Sequence, residues 1–242
     1  MSRETPQIRA LLLGEQRSGK STRERVWTDK IVAWTSYGIP VVRSVLVFDR
    51  NNETEIWDGA GPIVDSVDGF WKACRDASEA AGLECISVLP RVVVRAGVDV
   101  EPYRDFLRLA IDEGDFLIVL CEVSEWAPSS GRWPIDEIGR GVRLSHIFRQ
   151  GRHIPDREGD PQKIHYLCDT QEAIGISPLL RNQANFVASG PLEGDNNMRW
   201  VRQNFGRDGD QLAASVQSAG EHEWTILRNK LDKGVPKFPQ KV

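Results

Sequence analysis

The sequence has little cysteine and histidine, and neither is arranged as metal ligands usually are. Its four cysteines, Cys74, Cys85, Cys121 and Cys168, form no C-x-x-C pair, and His146, His153, His165 and His222 share no ligand spacing with them or with one another. A structural zinc site is therefore not expected. Three of the cysteines fall in predicted strands, where a free thiol behaves as a small apolar group, so all four read as reduced core residues. No apolar run approaches the ~18 residues of a membrane span, and the leading MSRETPQIR lacks the apolar core of a signal peptide. The expectation is a soluble, cytoplasmic protein. Positive charge is not in excess either: 31 basic side chains face 35 acidic ones, for a net charge of −4. Any nucleic-acid contact must then come from a local patch. At 242 residues the chain suits one large domain, read as 1–228 with a tail over 229–242, and two full domains are not expected.

What is present is concentrated near the start. The apolar run Ala10 to Leu13 stops at Gly14, and Gly14, Gly19, Lys20 and Ser21 complete the spacing G-x-x-x-x-G-K-[ST] of a phosphate-binding loop. A buried strand aims such a loop, two glycines let successive N–H groups curl round phosphate oxygens, and the next helix offers its positive end to the same anion. Trp27, Ile31 and Trp34, spaced i, i+4, i+7, supply that helix. Gly14, Glu15, Gln16, Arg17, Ser18, Gly19, Lys20, Ser21 and Thr22 are thus expected to wrap ATP, with Lys20, read as solvent-facing, reaching the β- and γ-phosphates and Ser21 holding Mg²⁺.

Strands and helices alternate through the rest of the chain, which predicts an α/β fold with a mostly parallel sheet covered by helices on both faces. Val41–Asp49 reads as a buried strand ending in Asp49, which is either a Mg²⁺-side residue at the ligand-binding edge or a solvated turn residue. Phe70–Ala81 reads as a helix, Cys85–Arg95 as a strand and Asp99–Gly114 as a helix capped by Asp99. Phe116–Cys121 is a strongly apolar strand that runs into Glu122, the expected form of a second nucleotide-hydrolysis element. A loop over Ala127–Pro134, a helix from Ile135 to Gln150, a strand over Lys163–Gln171, a helix over Ile176–Ala184 and a strand over Asn185–Leu192 follow. Helices over Asn197–Phe205 and Gln211–Ser218 and a strand over Trp224–Leu227 complete the set.

The window 132–157 holds six arginines (132, 140, 143, 149, 152, 157), three acids and no lysine. Guanidinium groups match phosphate geometry bidentately, so the window can serve as a phosphate-binding patch; it can equally be a solvated face with surface ion pairs. Trp133 within it would stack on bases or be buried.

In order, GEQRSGKST, VLVFD, FLIVLCEVSEW, a helix with Arg149-Gln150-Gly151-Arg152, and LCDTQ followed by ISPLLRNQANFVASG resemble the FtsK/HerA superfamily of DNA-pumping ATPases over residues 8–205. The resemblance is strongest to the small viral members that package genomes into icosahedral capsids. It implies a RecA-like P-loop NTPase fold, Glu122 polarising the attacking water, Gln171 sensing the γ-phosphate, and Arg149 or Arg152 acting as a finger on a neighbouring subunit's nucleotide. It also implies a homo-oligomeric ring, sequence-independent contact with DNA phosphates, and a capsid or portal partner. Cys121 departs from the pattern, standing where the family carries an aspartate beside the glutamate. A thiol is a poor ligand for a hard cation. Asp49, Glu122 or water would then fill the role, or hydrolysis would be weak. Two other functions stay open on the residues themselves: a small-molecule kinase with the arginines as lid, against which Glu122 and Gln171 at strand ends argue, and an assembly protein that binds ATP and hydrolyses it poorly.

Overall fold

A computed structural model describes residues 7–36, 39–50, 55–86, 88–150, 154–159, 163–231 and 234–240. The chain runs β1 (Arg9–Leu13), α1 (Lys20–Val32), β2 (Thr35–Ser36), β3 (Ile39–Pro40), β4 (Ser44–Phe48), β5 (Ile63–Val64), α2 (Val67–Ala80), β6 (Val92–Val94), α3 (Glu101–Glu113) and β7 (Phe116–Leu120). It continues with β8 (Glu137–Gly139), β9 (Val142–Arg143), α4 (Leu144–Gln150), β10 (His165–Thr170), α5 (Pro178–Gln183), β11 (Phe186–Ser189), α6 (Asp195–Asn204), α7 (Gly209–Gln217) and β12 (Thr225–Asn229). Eight strands form one sheet in the order β12-β11-β1-β10-β7-β4-β6-β5. All neighbours in it are parallel except β12, which pairs antiparallel with β11 at the edge.

The sheet is buried on both faces, and alternation along β1 shows how. Leu11 and Leu13 enter the larger core, beneath α2, α3, α6 and α7, while Ala10 and Leu12 enter a smaller one with Trp27 and Ile31 of α1. The smaller core is closed by Val235 and Phe238, from the stretch read as a tail. The Phe238 ring sits 5.2 Å from Trp27, 5.3 Å from Phe186 and 5.7 Å from Trp224, centroid to centroid. Trp27 Nε1 donates to Pro236 O at 3.0 Å. Residues 234–240 are therefore part of the packed structure and not a free tail.

Three other expectations change. Among the described residues of Cys85–Arg95 only Val92–Val94 is strand, and Cys85 is exposed, outside the core to which its strand assignment had placed it. The helix expected over Ile135–Gln150 begins only at Leu144; before it, β8 and β9 form an antiparallel hairpin. Gly139, Arg140 and Gly141 all have positive φ (138°, 55° and 73°), which no right-handed helix accommodates. The cap expected from Asp99 is a local bond from the Glu101 N–H to Asp99 Oδ1, with Val100 at the cap position of α3. Gly114 ends that helix at φ 74° as expected.

A candidate nucleotide site at the carboxyl edge of the sheet

β1, β10 and β7 lie side by side, so the segments leaving their carboxyl ends converge. They line a cleft of about 570 Å³ with Glu15, Gln16, Arg17, Gly19, Lys20, Ser21, Thr22, Asp49, Cys121, Glu122, Asp169, Gln171 and His222 among its walls. The volume is in the range of small-ligand sites. Gly14 and Ser18 are buried beneath the loop. A Cβ on Gly14 would lie 2.6 Å from Ser18 Oγ, which would have to move, and Gly19, at φ 77°, is in the left-handed region that favours glycine. α1 starts at Lys20 with no side-chain cap and no acid in its first turn, which leaves its N–H groups and positive end to an incoming anion.

Lys20 is not solvent-facing as read from the sequence. It is buried, and its Nζ donates to Gly14 O at 2.6 Å and Glu15 O at 3.0 Å, holding the loop closed around the place a phosphate would take. Ser18 Oγ, Glu15 Oε1 and, further along α1, Glu24 Oε1 and Thr28 Oγ1 are buried without a partner. Buried polar atoms are usually satisfied, so Ser18 Oγ and Glu15 Oε1, both in the phosphate loop, are open to a ligand's hydrogen bond, although unpartnered atoms also occur elsewhere in the molecule.

Glu122 leaves β7 in the left-handed region, φ 50° and ψ 69°. That conformation costs a non-glycine residue about 1–3 kcal/mol and is held here from three sides. Its N–H donates to Asp169 Oδ1 at 2.6 Å, and its Oε1 accepts from Ser124 Oγ at 2.7 Å and Thr170 Oγ1 at 2.8 Å. The carboxylate is thereby fixed at the cleft wall. Gln171, exposed, follows Thr170 into the same cleft. Ser124 and Asp169 were missed from the sequence, and Thr170 was read only as half of the Thr170-Gln171 element of the family resemblance, without a role of its own; Asp169 directly precedes that element, and its sequence signal was that adjacency alone.

Asp49 lies in the wall and is buried, not solvated, and its Oδ2 accepts from Arg95 Nε at 2.8 Å while Arg95 also pairs with Asp58. Its charge is therefore already matched. Cys121 lines the cleft with its Sγ 3.8 Å from Glu24 Oε2, and burial pushes the thiol well above its ordinary range. Burial, then the neighbouring Asp169, also raises the Glu24 carboxyl, against the pull of Lys20. Asp169 is raised by burial to about 6, with Lys20 and the Glu122 N–H opposing.

His222 enters the cleft from a segment with no local signal for such a place. The segment is tied to the loop by Trp224 Nε1 donating to Ser18 O at 3.0 Å and by Arg23 Nη2 donating to His222 O at 2.7 Å. Arg23 also lies over the Trp224 ring at 5.1 Å.

The arginine window is elsewhere. Arg149 is exposed on α4 and does not line this cleft; Arg152 lies outside the described residues. Arg140 pairs with Asp112 at 2.7 Å, and Arg132 lines a separate groove with Arg104 and Arg108, which pair with Glu101 and Asp105. Trp133 is half-buried, its ring 5.9 Å from Phe148, so the packed reading of that residue holds.

Among the described residues, no group of three or more His, Cys, Asp or Glu side chains is placed to hold a metal ion. Ser21, Asp169 and Glu122 do share the cleft wall, so the kind of oxygen donor that a hard cation takes is present there. No helix among the described residues is long and apolar enough to cross a membrane.

Taken together, the strand order, the loop between β1 and α1 and the acid after β7 define a P-loop NTPase fold of the RecA-like kind. No protein-family model and no curated protein matches the sequence. Among solved structures, the chain is similar to the genome packaging NTPase B204 from Sulfolobus turreted icosahedral virus 2. In complex with AMP that protein matches with a TM-score of 0.61 and 15% identity, covering 91% of each chain. The same protein in complex with ATP-gammaS gives 0.59 and 15% over 91% of each chain. B204 from Sulfolobus Turreted Icosahedral Virus, a DNA-packaging ATPase, gives 0.58 and 17%, again over 91% of each.

Proposed function

We propose that this protein is an ATP-hydrolysing DNA translocase of the FtsK/HerA type, acting in the cytoplasm as a homo-oligomeric ring that drives a viral genome into a capsid or through its portal. The reading is carried by one observation: Lys20, Gln171 and Glu122 leave the ends of three adjacent strands, β1, β10 and β7, into one cleft. In the proposed reaction the loop from Gly14 to Thr22 holds the ATP phosphates and Lys20 exchanges its two carbonyl partners for phosphate oxygens. Glu122, oriented by Ser124 and Thr170, takes a proton from the attacking water, and Gln171 bonds to the γ-phosphate. Mg²⁺, bound through Ser21, would neutralise charge developing on the transferring phosphoryl group. Glu122 favours hydrolysis over a kinase, because its carboxylate is fixed beside the phosphate site and needs only a water to act on.

The proposed fingers, Arg149 and Arg152, act in trans, which agrees with Arg149 lying outside its own cleft. Mixing Arg149→Ala protein with Lys20→Ala protein should recover turnover in mixed rings. DNA would run along the arginine window, touching phosphates only, as a motor indifferent to sequence must. The test is ATP turnover across a DNA titration with particle mass measured in parallel. Stimulation by DNA of any sequence is expected, falling steeply from ~50 to ~200 mM salt, and replacing Arg132 and Arg157 with Ala should reduce it while sparing basal turnover. Basal turnover indifferent to single- and double-stranded DNA at low salt would overturn the translocase reading in favour of a kinase or an assembly protein.

A further inference from the structure

The missing carboxylate at position 121 has a counterpart one strand away. Cys168 of β10 pairs in register with Leu120 of β7, so Asp169 and Cys121 follow at the same level of neighbouring parallel strands. Along β10, Cys168 packs into the larger core and Leu167 into the smaller one, so Asp169 is directed to the Leu167 side, where α1 lies and where Cys121 also packs. On β1, Leu12 is the register partner of Asp169, which puts the carboxyl directly beneath the phosphate loop. From the other side, Glu24 on α1, three residues beyond Ser21 and so on the same helix face, brings its carboxyl to the Cys121 thiol and leaves Oε1 buried with no partner. The result is an arrangement in which two carboxyl groups flank a cysteine, with Lys20 as the cation acting on both.

We infer that Asp169, backed by Glu24, anchors the water shell of the catalytic Mg²⁺ in place of residue 121, so that the metal-side carboxylate of this chain sits on β10 and not on β7. The assignment rests on the nucleotide-binding reading above. Three physical points support it. The donors are oxygens, as a hard cation demands, whereas the thiol they flank is not. An aspartate at 121 would press a third acid against Glu24 and Asp169, so the cysteine is what this neighbourhood can accept. A buried, unpartnered carboxyl oxygen is costly unless something completes it, and a magnesium-bound water donates the hydrogen bond it lacks. Lys20 cannot do so alone, since its Nζ turns to the phosphate when nucleotide binds.

The decisive pair of variants is Asp169→Asn and Asp169→Asn/Cys121→Asp. An asparagine at 169 still accepts the Glu122 N–H through Oδ1, so the turn after β7 survives while the charge is lost. The readout is Mn²⁺ affinity by electron paramagnetic resonance in the presence of AMPPCP, with AMPPCP binding in EDTA as the metal-free control. Mn²⁺ affinity should fall ~10- to ~100-fold in Asp169→Asn, the range found when carboxylates supporting a metal are removed. It should return towards the wild-type value when the second substitution restores a carboxylate on β7, while AMPPCP binding in EDTA stays unchanged in both. Unaltered Mn²⁺ affinity in folded Asp169→Asn overturns the assignment, and so does a loss that Cys121→Asp fails to restore. Glu24→Gln, which conserves volume, gives an independent arm if Asp169→Asn does not fold: a several-fold weaker Mn²⁺ affinity supports the pair and no change overturns it. Wild-type protein that fails to bind AMPPCP with or without metal overturns the nucleotide reading itself, and is distinguishable because no variant is needed to see it.

Discussion

His165 and Asp169 occupy the two ends of one buried strand, β10, and burial acts on both, yet they sit in opposite kinds of surroundings. At the amino end, His165 is held neutral, its pKa lowered by burial from 6.5 to about 3, and its Nδ1 accepts the Ile8 N–H at 3.0 Å. Around it the backbone is closed by local side chains: Gln7 Nε2 bonds Ile164 O, and Asn185 bonds both Gln7 O and the Arg9 N–H. At the carboxyl end the carboxyl of Asp169 is raised to about 6, and Ser18, Glu15 and Glu24 nearby keep oxygens with no protein partner. At the amino edge backbone groups are matched by side chains, although His165 Nε2 and Tyr166 Oη stay without a partner; at the carboxyl edge the unmatched atoms include oxygens of the phosphate loop itself, beside an open cleft. This is the general division of an open parallel sheet, whose ligands bind beyond the carboxyl ends of the strands.

The comparison is broken most severely at Glu122. Glu122→Gln should lower turnover ~10²- to ~10⁴-fold with nucleotide binding retained, and a steady-state ATPase assay beside a binding titration checks both. Near-wild-type turnover would move the lytic carboxylate elsewhere, to Glu125 first. Next in size is Lys20→Ala, expected to cost ~10²- to ~10³-fold, as the removal of one preorganised donor to a developing anion does. Thermal unfolding without nucleotide should also shift downward, because the buried Lys20 Nζ holds two loop carbonyls and offsets the Glu24 and Asp169 carboxyls, so turnover is compared at a temperature where the variant is folded.

The smallest effect sharpens the contrast by pH. His165 has a folded pKa below its unfolded value, so its contribution to stability is complete above about 6.5 and is lost as pH falls towards 3. Asp169 has a folded pKa above its unfolded value, so the folded state binds the extra proton and its contribution is lost as pH rises from 3.8 through about 6. Asp169→Asn should therefore gain stability over the wild type as pH rises through that window, while keeping the acid-side loss due to His165. Denaturant unfolding at pH 4, 5, 6 and 7 reads this directly, and parallel curves for the two proteins would contradict it.

Much of this edge was legible in the sequence because its signals are local. The spacing from Gly14 to Ser21, the apolar run into Glu122 and the strand into Gln171 each lie within one short segment, and the structure brings all three together. Asp169 was not legible: its role depends on the register between β10 and β7, and on a cysteine in the neighbouring strand. Glu24 was hidden for a similar reason, since a charged residue on the inner face of α1 acquires meaning only from what it meets across the sheet. The hairpin β8–β9 was misread as helix because apolar residues such as Ile135, Ile138 and Leu144 suit either element, and Gly139 and Gly141 decide between them. The segment with Val235 and Phe238 looked like a tail because prolines and lysines dominate it, although two apolar side chains are enough to seal the smaller core.

Trp224 and Arg23 join positions in the chain that are made far apart in time. The bond from Trp224 to Ser18 O spans 206 residues, and those from Arg23 to His222 O and Gln240 O span 199 and 217. The phosphate loop therefore leaves the ribosome about 200 residues ahead of the ring and backbone that brace it. Non-local closure of this kind is slow, and domains tend to fold as units once their chain is out. A growing chain should accordingly carry the loop sequence without a working loop, and nucleotide capture by chains stalled before and after Trp224 would show the site switching on only in the second.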